Sequence, residues 1–173
     1  MLRRGRIVSA GADMMLYGIL DLARAPELYP HVERLAPAGA ACLFEGRLAP
    51  ALLRASPHLV ELARGDPLTT LWQQTGWGKA WGVLLRSGEG LAVVRRRLRH
   101  FTQARLPNGR GPLLFRFWDP RVFRVYLPLV EPAELPPWFK GIDHYIAETE
   151  DGAGAIHYAL QGGALATQPR RLN

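Results

Sequence analysis

The sequence predicts an α/β protein with a mostly parallel sheet covered by helices on both faces, a Rossmann-like layering without the dinucleotide fingerprint. Short apolar runs alternate along the chain with segments whose apolar residues recur at helical spacing. Strands that are separated by helices favour parallel pairing, with the helices packed against the sheet. The chain has 173 residues, of which 48% are hydrophobic, so it is large enough to bury one core.

Strands are predicted where short apolar runs are bounded by turn-forming residues. The candidates are residues 15–22, 40–44, 58–62, 81–87 and 113–118. Residues 144–149 and 155–160 alternate between apolar and polar side chains on either side of Asp151-Gly152. This pattern predicts a C-terminal β-hairpin.

Helices are predicted between these strands. The clearest spans residues 91–105, where Leu91, Val94, Leu98 and Phe101 step by three and four residues along one face. At Asp66-Pro67 and Asp119-Pro120 an aspartate can cap a helix and the proline fits its first position. The remaining helical segments are expected after Pro26 and around residues 52–53.

Composition suggests one main domain and a cytoplasmic location. Residues 1–13 are expected to be a disordered leader, residues 14–130 the α/β core, and residues 131–173 an extension with the hairpin and a frayed tail. No apolar run reaches the roughly 18 residues that a membrane span needs. A single cysteine, Cys42, favours a reducing compartment. The net charge of +7 permits acidic partners.

Motifs for catalysis or cofactor binding are missing from the sequence. It contains no GxGxxG after the first strand, no Walker loop, no HExxH and no GxSxG. We therefore expect no enzyme activity, no cofactor and no metal. Cys42 lies in an apolar run, where a buried thiol is the simpler interpretation. One enzymatic alternative stays open, in which Asp119 and either His144 or His157 meet in one cleft.

The predicted helix 91–105 carries a basic ridge that lies mostly off its apolar stripe. Arg95, Arg96 and Arg99 are the candidate partner-binding residues of this ridge. Such a ridge can be a solvated helix face without a partner, it can steer acidic protein surfaces, or it can pair with phosphates. Single-strand binders usually add exposed aromatic side chains, whereas Phe101 lies on the apolar stripe. We expect a protein partner, and a nucleic-acid-binding module that uses this helix is the alternative.

The stretch WQQTGWGKAWG, residues 72–82, places two tryptophans beside glycines. Trp77 and Trp81 flank this corner and are candidate partner-binding residues. Large aromatic side chains beside glycines can anchor a partner, or they can close the end of the core. The sequence leaves both interpretations open.

The stretch FRFWDPRVF, residues 115–123, places two arginines around a helix start. In a strand, Arg116 and Trp118 would face the side opposite to the phenylalanines. A buried Arg116 would require a carboxylate, and otherwise it must be exposed. Its candidate partners are Asp21, Glu61 and Asp119. Arg116, Trp118, Asp119 and Arg121 are predicted to form a rigid, partner-binding corner at the carboxyl end of a strand.

Several motifs together resemble a known bacterial family. The sequence contains YGILDLAR, PELYP, ACLFEG, HLVEL, GWGKAWGVLLRS, LAVVRRRLRHF and LLFRFWDPRVF in the order seen in adaptor proteins of the type VI secretion system. The resemblance covers residues 15–130. The positions that match the strongest motifs are Trp77, Gly78, Trp81, Gly82, Arg116, Asp119, Pro120 and Arg121. Trp118 stands where the family more often has tyrosine.

The resemblance implies a cytoplasmic adaptor without catalytic residues or cofactor. Members of this family, also called effector chaperones, bind a toxic effector, often through the effector's N-terminal region. They help to load the effector onto the VgrG spike at the tip of the secretion tube. The resemblance therefore implies an effector and VgrG as partners, with no role for a membrane.

Overall fold

A computed structural model describes residues 14–105 and 111–171 of the chain. Its strands are β1 (Met15–Asp21), β2 (Ala40–Cys42), β3 (Pro57–Glu61), β4 (Gly82–Ser87), β5 (Gln103–Arg105), β6 (Pro112–Leu114), β7 (His144–Glu148), β8 (Gly154–Gln161) and β9 (Ala164–Arg171). Seven of them form one sheet in the order β2-β3-β1-β4-β7-β8-β9, and β5 pairs with β6 in a separate hairpin. The predicted leader, residues 1–13, lies outside the described residues.

Short helices connect the strands. They are α1 (Tyr29–Leu35), α2 (Pro50–Ala55), α3 (Pro67–Leu71), α4 (Leu91–Arg99) and α5 (Pro120–Tyr126). A proline lies in the first turn of every one of these helices except α4. Proline suits this position because the first helical N–H groups have no partner within the helix. No helix in the described part of the chain has the length and apolar character required to cross a bilayer.

The prediction of a mostly parallel sheet is wrong. All neighbouring strands of the sheet run antiparallel. The chain does return in the same direction from β1 through α1 to β2, as a crossover connection requires. However, β3 lies between these two strands and pairs with both of them. Helix α2 connects β2 to β3, and these strands pair antiparallel, so the alternation of strands and helices does not determine the direction of neighbouring strands.

The predicted strand 113–118 is also wrong over most of its length. Only Pro112–Leu114 is extended, and it belongs to the separate hairpin rather than to the main sheet. Phe117 and Trp118 are both buried, so the expected alternation of faces fails. A turn closes this segment, because the Asp119 amide donates to the Arg116 carbonyl at 3.0 Å.

The predicted C-terminal hairpin is confirmed as β7 and β8. It continues the main sheet, because β7 pairs with β4. The tail was expected to fray from Ala166, but β9 pairs with β8 along its whole length, from Ala164 to Arg171. Most side chains of β9 are exposed, so buried and exposed positions hardly alternate along this strand. For this reason the sequence pattern does not predict a strand here.

Two hydrophobic cores lie on opposite faces of the sheet. One contains side chains of α4, α5 and the segment around Trp138, packed on β1, β4, β7 and β8. The other contains side chains of α1 and α3 with Trp72 and Trp81, packed mainly on β1, β2 and β3. The prediction that helices cover both faces of the sheet is wrong as well, because the helices are few and short and the second core ends near β4.

Candidate functional site

Two of the sequence motifs meet at one end of the sheet. Asp21 ends β1, and its amide donates to the carbonyl of Trp81 at 2.7 Å. The Asp21 carboxylate accepts a hydrogen bond from Arg116 at 2.5 Å. The tryptophan-glycine motif and the FRFWDPRVF motif thus contact the same residue. We call this region the arginine corner, defined by Asp21, Arg116, Asp119, Arg121 and Glu148.

The Asp21–Arg116 pair joins a buried acid to an exposed base. The side chain of Asp21 is 2% exposed, and that of Arg116 is 43% exposed. A buried carboxylate without a partner would be strongly unfavourable, so the contact fixes the guanidinium at the surface. Pairing with a carboxylate was one of the alternatives predicted for Arg116, and Asp21 is the candidate partner that supplies it.

Asp119 holds a second arginine in the same way. Its carboxylate caps α5 by accepting from the Arg121 amide at 3.0 Å. It also accepts two bonds from the Arg121 guanidinium, from Nε at 2.9 Å and from Nη2 at 2.6 Å. Burial alone would raise the pKa of Asp119, but the hydrogen bonds and charge of Arg121 outweigh it and lower the pKa. Asp119 is therefore ionised, and its predicted capping role is confirmed.

Glu148 fixes the loop that carries Trp77 and Trp81. It ends β7, and its buried carboxylate accepts from the amides of Gly78 at 2.8 Å and Ala80 at 2.9 Å. Ala80 has φ 54°, which is rare for a residue with a side chain. Two hydrogen bonds that the loop amides donate to one buried carboxylate therefore hold a strained loop against the sheet.

A surface cleft of about 540 Å³ opens beside these residues. Basic side chains of Arg24, Lys79, Arg121 and Arg124 line it, together with Val125, Glu148 and Glu150. The Glu148 carboxylate already accepts hydrogen bonds from two backbone amides, and Glu150 is exposed. The cleft is positively charged with one exposed apolar side chain at its wall, so it suits an acidic and partly apolar ligand.

The tryptophans of the predicted site lie mainly in the cores. Trp81 packs against Trp72, with ring centroids 6.2 Å apart. Trp118 is 2% exposed and packs against Phe44 at 6.0 Å. Trp77 is half-buried, and its indole N–H donates to the Gly154 carbonyl at 3.0 Å. Trp77 is thus the one of these predicted anchors that retains substantial exposure.

The backbone conformation and packing of the tryptophan-glycine motif require glycine at two positions. Gly78 has φ 81°, a left-handed conformation that favours glycine. A Cβ at Gly82 would collide with the carbonyl oxygen of Ile19 on the neighbouring strand. Both positions are therefore explained by the fold of the corner without invoking a ligand.

Most arginines of the basic ridge on α4 form hydrogen bonds or ion pairs with other residues of the same chain. Arg95 donates to the carbonyls of Cys42 at 2.5 Å and Phe44 at 3.3 Å, and Arg99 forms an ion pair with Glu45. Arg97 pairs with Glu89 at 2.8 Å. Arg96 is exposed. None of these arginines lines the cleft of the arginine corner.

The residues of the enzymatic alternative do not meet at Asp119. The carboxylate of Asp119 is engaged by Arg121, and His144 and His157 instead face each other with ring centroids 5.2 Å apart. Within residues 14–105 and 111–171, no three acidic, histidine or cysteine side chains form a metal-ligand cluster. Burial raises the pKa of the Cys42 thiol, which disfavours the reactive thiolate.

Several residues of the site are not indicated by any sequence pattern. They are Glu148, Arg24, Lys79, Arg124 and Val125. Their contributions depend on the sheet order, which places the end of β7 beside the end of β1 and the start of β4. No local pattern in the sequence carries that information.

Comparison with known proteins identifies the family but names no activity. A family model described as "Domain of unknown function (DUF4123)" matches residues 16–136, more than half of the chain. Neither the curated proteins nor the solved structures give a match. The matched range includes both motifs of the arginine corner and ends before Glu148. The chain therefore belongs to the DUF4123 family.

Proposed function

We propose that the protein is a cytoplasmic, non-catalytic adaptor that binds a type VI secretion effector and helps to load it onto the VgrG spike. The observation that carries the proposal is the arginine corner, where exposed guanidinium groups are held by buried carboxylates. The resemblance of residues 15–130 to the adaptor family supplies the identity of the partners. The N-terminal region of the effector is the expected binding segment.

The chemistry of the corner suits recognition of another polypeptide. A guanidinium has five N–H donors, and Asp119 engages two of those of Arg121. The remaining donors can bind carboxylates or backbone carbonyls of a partner. Because Asp119 already orients the group, little side-chain entropy is lost on binding. Arginine is also among the residues that contribute most to protein interfaces.

Val125 gives the corner an apolar contact. Its side chain is 67% exposed, although it lines a cleft otherwise rich in basic groups. An exposed apolar residue among charges is a common arrangement in binding surfaces, where it excludes water from the polar contacts. The proposed effector segment therefore combines acidic and apolar side chains.

The first test is co-expression with a candidate effector from a neighbouring gene. The wild-type pair should co-purify, and Val125→Asp should weaken the complex about tenfold or more. The new carboxylate removes the apolar contact and competes with the acidic partner for Arg121 and Arg124. Leu52→Asp is the matched control, because Leu52 is also exposed but lies on α2. Affinity is measured by titration calorimetry on the purified components.

Two outcomes would contradict the proposal. One is elution of the wild-type protein without the effector at both low and moderate salt. The other is equal affinity of the two variants while both keep the wild-type unfolding temperature. Tight binding of random oligonucleotides with a steep salt dependence would instead favour the nucleic-acid alternative. Arg95 and Arg99 already contact groups of their own chain, the Cys42 carbonyl and Glu45. These contacts do not favour the nucleic-acid alternative.

A further inference from the structure

Within residues 14–105 and 111–171, one part of the main sheet has no covering layer. Arg86 lies opposite His144, Ile146 opposite His157, and His157 opposite Gln168. Directly opposite residues, and residues two apart in a strand, point to the same face. We call the resulting surface the open face, and it consists of Arg86, His144, Ile146, His157, Ala159, Ala166, Gln168 and Arg170.

The open face lies beside the second hydrophobic core. That core ends near β4, and none of the eight open-face side chains belongs to either core within the described residues. Arg86, Gln168 and Arg170 are exposed, and the two histidines are half-exposed. A cleft of about 670 Å³ lies over β7, β8 and β9 and is lined by His144, His157 and Arg170 among others.

The open face is strongly biased toward basic groups. It presents two arginines and two histidines around a floor of small or branched apolar side chains. Asp143 is the acidic residue at the rim of this cleft, and its Oδ2 lies 2.6 Å from Nδ1 of His144. That carboxylate is therefore engaged, and the surface as a whole attracts negative charge.

We propose that the open face binds an acidic, extended segment of a protein partner. Charge complementarity requires the acidic residues, and the apolar floor formed by Ile146, Ala159 and Ala166 suits alternate aliphatic side chains. A nucleic acid would lack stacking partners, because the open face carries no phenylalanine, tyrosine or tryptophan. A second copy of the same face would place arginines against arginines.

His157 gives the binding a characteristic pH dependence. Burial is the main cause of its lowered pKa, and electrostatic interactions with His144, Arg170 and Arg86 lower the pKa further. The other charged groups on this face are Glu148, whose carboxylate accepts from the amides of Gly78 and Ala80, and Asp143, which lies beside His144. Carboxylates of the bound segment favour the protonated ring. Binding should therefore tighten as the pH falls from about 7.5 toward about 6.

A labelled peptide of alternating glutamate and valine tests the inference on the full-length protein by fluorescence anisotropy. Arg170→Ser should weaken binding roughly three- to tenfold. Arg171→Ser is the matched control, because Arg171 is the next residue of β9 and faces the other side of the sheet. His157→Gln should reduce the increase in affinity at low pH. A peptide of alternating lysine and valine should not bind.

Equal binding by the two arginine variants would overturn the inference. So would tighter binding of a single-stranded DNA oligonucleotide that Arg170→Ser weakens, or a wild-type dimer that Arg170→Ser dissociates. The identification of the partner as a segment of an effector or spike protein rests on the proposed function. The peptide assay, however, uses neither of these proteins. Failure of the peptide assay and failure of co-purification at the arginine corner are therefore distinguishable.

Discussion

At the scale of single residues, buried acids orient exposed bases. Asp21 and Asp119 each hold one guanidinium at the surface, and each pair combines a nearly inaccessible carboxylate with a half-exposed arginine. Local sequence predicts part of this arrangement, because Asp119-Pro120 is a helix start and pairing with a carboxylate is one of the alternatives for Arg116. The choice of Asp21, far away in sequence, depends on the fold.

His58 is a residue whose burial predicts a pH-dependent stability. Burial is the main cause of its lowered pKa, with Arg95 adding to it and the hydrogen bond to the Ser56 carbonyl opposing it. The unfolded chain takes up a proton below the ordinary pKa of 6.5, whereas the folded ring stays neutral until a lower pH. The free energy of unfolding should therefore fall as the pH decreases below that value.

The variant His58→Asn tests this expectation. Asparagine can keep a donor near the Ser56 carbonyl but does not titrate. Urea unfolding between about pH 7.5 and about pH 5.5 should show a smaller loss of stability for the variant than for the wild type. Identical pH profiles would show that His58 titrates normally in the folded protein.

At the scale of elements, one carboxylate joins a loop to a strand. Glu148 at the end of β7 binds two amides of the loop between α3 and β4, and Arg124 of α5 donates to its carbonyl at 2.8 Å. Three elements that are distant in sequence are thus fixed at the arginine corner. The local sequence indicates the positions of most of these elements, but it does not indicate this contact.

Glu148→Gln should destabilise the loop measurably. The neutral amide can accept from one of the two loop N–H groups and leaves the other buried without a partner, which costs about 1–3 kcal/mol. Hydrogen exchange at the amides of Gly78 and Ala80 should become faster, and the free energy of unfolding in urea should decrease. Glu150→Gln in the same cleft is the control, with an expected change within about 0.5 kcal/mol. Equal exchange rates in both variants would contradict the clamping role.

At the scale of the whole molecule, the sheet order decides which surfaces are available. β1 lies between β3 and β4, and this brings the ends of β1 and β7 to the same end of the sheet. The C-terminal strands extend the sheet beyond the layer formed by α1 and α3. The same topology thus creates both the arginine corner and the open face.

A chain that ends at Gln161 should be less stable and should self-associate. Removal of β9 leaves β8 as an unprotected edge with apolar side chains such as Ile156 and Leu160, whereas Pro169 and the arginines of β9 protect the natural edge. Sedimentation velocity and thermal unfolding measure the two effects. A chain that ends at Arg171 is the control and should behave as the wild type. A stable monomer ending at Gln161 would show that β9 contributes neither stability nor protection.

The sequence by itself determined most element positions, the Asp66 and Asp119 caps, the C-terminal hairpin and the motifs that identify the family. These features depend on neighbouring residues, whose periodicity and backbone preferences are local. Only the tertiary structure decided the antiparallel sheet, β9, the Asp21–Arg116 pair and the burial of Trp81 and Trp118. Strand order and burial depend on contacts between residues far apart in the chain, and short-range patterns do not encode which distant strand becomes the neighbour.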